Sequence, residues 1–128
     1  MRVLGMDWGT RRVGLATGDT ETRIASPWKT IIAGGNLAQE IADIAKQEGA
    51  GVIVIGYPKT LKGEAAHMAH LIDAFAADLR DMTDARIVLE DERMSSLVAD
   101  RQRAEGSRAD RDALAAASVL DAWLARQR

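Results

Sequence analysis

Three acidic positions stand out by their surroundings. Asp7 follows the short apolar run Val3-Leu4-Gly5-Met6 and precedes Trp8-Gly9-Thr10. Glu92, with Asp91 beside it, lies just beyond a second apolar run, Ile87–Leu89. Asp112 shares the apolar stripe of the C-terminal segment with Ala116, Val119, Leu120 and Trp123, at helical spacing. An ionised carboxylate on the buried side of a helix is costly unless it is paired or bound to a metal. Carboxylates that converge without Cys or His nearby suit a hard, oxygen-seeking cation such as Mg²⁺ or Mn²⁺. A pair of such ions can hold an attacking water and a leaving oxygen in line at a phosphodiester. Each acid alone has a plainer explanation. An acid after a strand serves most often as a turn residue, and Asp112 near a helix N-terminus would gain about 0.3–1 kcal/mol from the helix dipole.

Other chemistries find less support. The chain has no cysteine, which removes thiolate ligands, cysteine nucleophiles and disulfides together. His67 and His70 are three residues apart within one helical stretch, but no third ligand stands at a matching offset, so packing or surface roles are expected for both. Ser95 and Ser96 have no His–acid partnership in the sequence, which argues against a serine hydrolase.

The elements that would position the acids follow from periodicity. Arg2–Met6 and Arg12–Thr17 read as two strands of a hairpin about Gly9-Thr10. A third strand is expected over Ile24–Ile32, with Pro27 placing it at or near a sheet edge. Apolar residues at 37, 38, 41, 44 and 45 predict a helix over Leu37–Gln47. Val52–Ile55 is apolar without alternation, as in a parallel strand covered on both faces. A helix over Glu64–Leu79, a strand over Arg86–Leu89 and helices near Ser95–Ala104 and Arg108–Arg126 complete the chain, with Ser107 and Asp110 forming a candidate capping box. This order predicts an α/β layered domain with a mixed sheet, an antiparallel hairpin unit joined to parallel strands. Parallel strands would deliver Asp7 and Glu92 to one sheet edge, where open α/β sheets hold ligands.

At 128 residues, with no linker or repeat, residues 1–128 are expected to form one domain. No apolar run approaches the length of a membrane span, and no secretory signal pattern follows Met1, so a cytoplasmic protein without membrane contact is expected. The net charge of −2 weighs mildly against a polyanionic partner. Arginines at 2, 11, 12 and 23, and at 93, 101, 103, 108 and 111, could still build local positive surface beside a negative site.

Five segments, taken in order, resemble one known family. Gly5-Met6-Asp7-Trp8-Gly9-Thr10-Arg11-Arg12-Val13-Gly14-Leu15-Ala16 is similar to the opening strand pair of the YqgF/RuvX family. Its members are bacterial ribonuclease-H-like proteins described as Holliday junction resolvases or pre-16S rRNA nucleases. Ala25-Ser26-Pro27, Gly56-Tyr57-Pro58 with Gly63-Glu64, Asp91-Glu92-Arg93-Met94-Ser95-Ser96, and Asp112 with Ala115-Ala116 resemble its later motifs. Trp8, Tyr57 and Met94-Ser95-Ser96 depart from the family's commoner residues, and none of these departures removes a carboxylate. The resemblance implies a five-stranded ribonuclease-H-like sheet flanked by helices, with Asp7, Glu92 and Asp112 as the catalytic, metal-binding set. It chooses Glu92 over Asp91, which periodicity leaves open.

The function expected is hydrolysis of phosphodiester bonds in structured nucleic acid by an endonuclease using Mg²⁺ or Mn²⁺, with two ions. Branched DNA and pre-rRNA are the candidate substrates. Arg12, Lys59, Lys62, Arg93 and Ser95 are candidate substrate contacts, and Tyr57 could stack on a base, although packing suits it better. A resolvase that cuts two strands symmetrically would require a two-fold homodimer. Two alternatives stand beside this. One is a non-catalytic nucleic-acid- or ribosome-associated module. The other is an actin-like ATP-binding phosphotransferase, for which Asp7-Trp8-Gly9-Thr10 also fits but the chain has no residues for a second lobe.

Overall fold

The computed structural model describes residues 1–91 and 108–127. The elements are β1 Arg2–Asp7, β2 Arg12–Asp19, β3 Ala25–Ile32, α1 Leu37–Glu48, β4 Ala50–Tyr57, α2 Glu64–Arg80, β5 Arg86–Asp91 and α3 Arg108–Ala125. Every expected element within the described residues is present, with ends shifted by one or two residues. The expected helix over residues 95–104 and Ser107 of the capping box lie outside the described residues.

The five strands form one sheet in the order β3-β2-β1-β4-β5. β1 pairs antiparallel with β2 and parallel with β4; β2 and β3 are antiparallel, and β4 and β5 parallel. The mixed sheet therefore joins a three-stranded antiparallel unit to two parallel strands through β1. The C-terminal ends of β1, β4 and β5 share one edge, which presents Asp7, Tyr57 and Asp91.

Both faces of the sheet are covered, which is why β1 and β4 are apolar without alternation. Leu4, Met6, Val13, Leu15, Ile53 and Ile55 pack against Ile41, Ile72, Phe75 and Leu79 of α1 and α2. On the opposite face, Val3, Ala16, Val52 and Val54 pack against Ala116, Val119, Leu120 and Trp123 of α3. The apolar stripe expected of α3 is thus the face it lays on the sheet.

β3 is an edge strand, as Pro27 suggests. Its register slips between Lys29, opposite Leu15, and Pro27, opposite Ala16, so that Trp28 is the bulged residue. Gly63, immediately before α2, has φ of 56°, a left-handed conformation that a side chain at this position would strain.

Candidate active site

Asp7 is the last residue of β1 and is partly exposed. Its cross-strand partner is Gly14 of β2. Directly opposed residues of an antiparallel pair project their side chains to the same face, with Cα atoms about 4.5–5.5 Å apart. That face is the one occupied by α3, because a Cβ added at Gly14 would overlap the backbone carbonyl of Asp112. Absence of a side chain at Gly14 therefore lets the first turns of α3 settle onto β2, beside Asp7. The same contact continues down the helix. A Cβ at Gly5 would come within 2.9 Å of Leu120 Cβ and 3.0 Å of the Ala116 carbonyl oxygen. Gly14 thus borders two acids 105 positions apart, Asp7 across the ladder and the Asp112 backbone above it.

Asp112 is held further by a side chain. Arg12 Nε donates to Asp112 Oδ2 at 2.9 Å, with both side chains partly exposed, 34% and 26%. Arg12 opens β2 on the same face as Gly14, two residues before it, so this contact also belongs to the α3–β2 seam. The cost of placing Asp112 on the helix's buried stripe is offset by this cation.

The donor chemistry of Asp7 and Asp112 suits a hard divalent cation: both offer carboxylate oxygens and both reach solvent in part. Among the described residues, no group of three His, Cys, Asp or Glu side chains is gathered closely enough to hold a metal ion. Glu92, the third member expected, lies outside the described residues, as do Arg93 and Ser95. Neighbouring acids of β5 are accounted for differently. Asp91 is exposed at the strand end, whereas Glu90 is buried at 4% exposure and takes the guanidinium of Arg126 with both oxygens, Oε2 from Nη1 at 2.6 Å and Oε1 from Nη2. The hydrogen bond and charge of Glu90 hold the Arg126 guanidinium still more firmly protonated than usual. Glu90 is thereby committed to tying β5 to the end of α3. Nothing in the local sequence points to this pair, whose members are 36 residues apart.

Lys59 and Lys62 are exposed in the segment between β4 and α2, which begins at the same sheet edge as Asp7. Tyr57 closes β4 and is partly buried, and its hydroxyl donates to Asp73 at 3.1 Å. Desolvation, then the hydrogen bond to Asp73, push the phenol above its ordinary value. Its ring packs against the core on the α1–α2 side, the packing role that suited it better in the sequence. His67 and His70 are exposed on α2, a surface placement. Trp8 turns to the α1–α2 face, its ring centroid 6.3 Å from that of Phe75, and its Nε1 is buried with no hydrogen-bond partner.

Comparison with known proteins agrees with this architecture. The model of the family described as RuvX, Holliday junction resolvase, matches residues 1–126. A Maridesulfovibrio salexigens protein named "Putative pre-16S rRNA nuclease" is 38% identical over 134 residues, covering 98% of this chain and 99% of that one. A Geobacillus kaustophilus protein of the same name is 34% identical over 138 residues, covering all of both chains. Among solved structures, Thermus thermophilus RuvC in complex with Holliday junction substrate superposes with a TM-score of 0.69 at 15% identity, over 98% of this chain and 95% of that one. The fowlpox virus Holliday junction resolvase gives 0.57 at 9% identity, over 99% of this chain and all of the other. At such identities the likeness is one of fold, and the fold is the ribonuclease-H-like sheet with helices on both faces. With a family match over nearly the whole length and relatives above 30% identity end to end, the chain belongs to the RuvX family.

Proposed function

We propose that this chain is a divalent-metal-dependent endonuclease that hydrolyses phosphodiester bonds in structured nucleic acid. The observation that supports the proposal is Gly14, paired with Asp7 and packed under the Asp112 backbone, near the sheet edge where the parallel strands end. Asp7, Asp112 and Glu92 would hold Mg²⁺ or Mn²⁺, with two ions at the site. When bound, the cations supply Lewis acidity at the phosphodiester and lower the pKa of an attacking water. Arg12, Lys59, Lys62, Arg93 and Ser95 would contact backbone phosphates and fix the register of the strand. Arg12 and the two lysines are within reach of solvent for this role.

The names of the family and its relatives point to two substrates, a Holliday junction and pre-16S rRNA. Both are structured polyanions that a cytoplasmic protein of one domain, residues 1–128, would meet. A junction would call for a two-fold homodimer to cut both strands, whereas RNA trimming requires one site. Among the described residues no helix is long and apolar enough to cross a membrane.

The test is cleavage of a four-way DNA junction and a pre-16S rRNA leader, side by side, by wild type, D7N and D112N in Mn²⁺. Wild type cuts at least one substrate, and both variants lose cleavage by a factor of about 10³ or more while keeping their circular dichroism spectra and melting temperatures. Undiminished cleavage by D7N would remove the assignment. Cleavage of one substrate alone selects between DNA and RNA.

A further inference from the structure

We propose that Arg12 is an exchangeable substrate contact that couples metal binding to substrate binding, pairing with Asp112 before the cation enters and with a backbone phosphate afterwards. The proposal rests on the metal-site reading of Asp112 given above. Three observations carry it. Arg12 Nε donates to Asp112 Oδ2 at 2.9 Å, a contact that engages one of the five N–H groups of the guanidinium and one of the two carboxylate oxygens. Both side chains are partly exposed, so the pair is weak and exchangeable: ion pairs of this kind are worth a factor of about five or less. The Glu90–Arg126 pair is the contrast, with a carboxylate at 4% exposure that cannot be left without its cation. Finally, the backbones of the two partners are positioned independently of each other. Arg12 is placed by β2, opposite Ile32 of β3, and Asp112 by the seating of α3 on Gly14. Breaking the pair therefore removes a side-chain restraint and leaves the backbone anchors of both residues in place.

A divalent cation on Asp112 outcompetes a weak, solvent-screened guanidinium for the carboxylate and repels it. The displaced guanidinium keeps its fixed base on β2 and has a fork suited to a phosphate. Metal thus frees a phosphate-binding cation, and phosphate that captures Arg12 frees Asp112 for metal. Linkage requires the two effects to be equal.

The experiment compares wild type, R12Q, R12K and D112N in two measurements. The first is Mn²⁺ binding by the protein alone, followed by the electron paramagnetic resonance of free Mn²⁺. R12Q, which lacks the competing charge, is expected to bind Mn²⁺ about three- to fivefold tighter than wild type. R12K, which keeps the charge without the fork, should lie between them, and D112N should bind at least tenfold more weakly. The second is the salt dependence of binding to a fluorescent four-way DNA junction, with and without Ca²⁺. R12Q should lower the salt slope by about one phosphate contact with Ca²⁺ present and by clearly less without it. A purely structural ion pair would not produce a difference that depends on metal. Unchanged or weaker Mn²⁺ binding by R12Q, with D112N impaired, overturns the exchange and leaves the metal site standing. Wild-type Mn²⁺ binding by D112N removes the metal site itself. If R12Q melts at a much lower temperature than wild type, R12K decides by the same criteria, and the Mn²⁺ measurement stands whether or not the junction binds.

Discussion

Glu90 and Arg126 form a pair in which one member is shut away from water and the other is not. The buried carboxylate is tolerable because both of its oxygens accept from the guanidinium. Removing the cation strands an ionised group, so R126A should lower the melting temperature by several degrees. Adding E90Q to R126A should recover a large part of the loss, since a neutral amide needs no counter-ion. Thermal melts of the two variants and the double variant check this, and a melt of R126A equal to wild type would show that water reaches Glu90 after all. The exposed Arg2–Glu48 pair, at 2.9 Å, should show no comparable effect. Residue type and position alone did not separate these cases. Glu90, Asp91 and Glu92 are consecutive acids after an apolar run, and the burial of Glu90 against a helix end 36 residues away is what distinguishes it from Asp91.

At the scale of elements, the decisive contact is helix on strand. α3 approaches β1 and β2 so closely that Gly5, Gly14 and Gly18 line its track, with Leu120 against both Gly5 and Gly18. At Gly14 the helix backbone itself is in the way of any Cβ. G14A should therefore cost about 2–3 kcal/mol by overpacking, because a helix backbone cannot move aside as a side chain end can. It should also push Asp112 away from Asp7 and lose more Mn²⁺-dependent activity than the stability loss explains. Urea unfolding and cleavage rates at equal folded fraction test this; a stable, fully active G14A would show that the close approach is not what assembles the site. The glycines were visible in the sequence as part of a motif, but the reason for them was not, because it lies in a helix a hundred residues away.

The whole molecule carries a net charge of −2 and must still hold a polyanion if it is a nuclease. Binding would then depend on a few cations at one edge. With Arg12, Lys59, Lys62 and Arg93 as phosphate contacts, the log–log salt slope for a four-way DNA junction in Ca²⁺ should be about −3 to −4. Anisotropy titrations from low to physiological salt measure it, and a slope near zero would remove these cations from the interface. Much of this protein is legible in its sequence. The strand runs, the helical stripes and Pro27 at the edge are local patterns, and secondary structure with its buried faces follows from local patterns. The order of strands and helices then limits the topology to a mixed sheet with an antiparallel unit at one side. Asp7 stood out because it ends a strand, and Asp112 because a charge on an apolar stripe needs a partner. What the tertiary structure decided were the partners: Arg12 for Asp112, Arg126 for Glu90, Asp73 for Tyr57, and Gly14, the cross-strand partner of Asp7, as the point where α3 meets β2. Such contacts join residues 16 to 100 positions apart, and no spacing rule reaches across them, because they arise only when the sheet has closed and the helices have packed upon it.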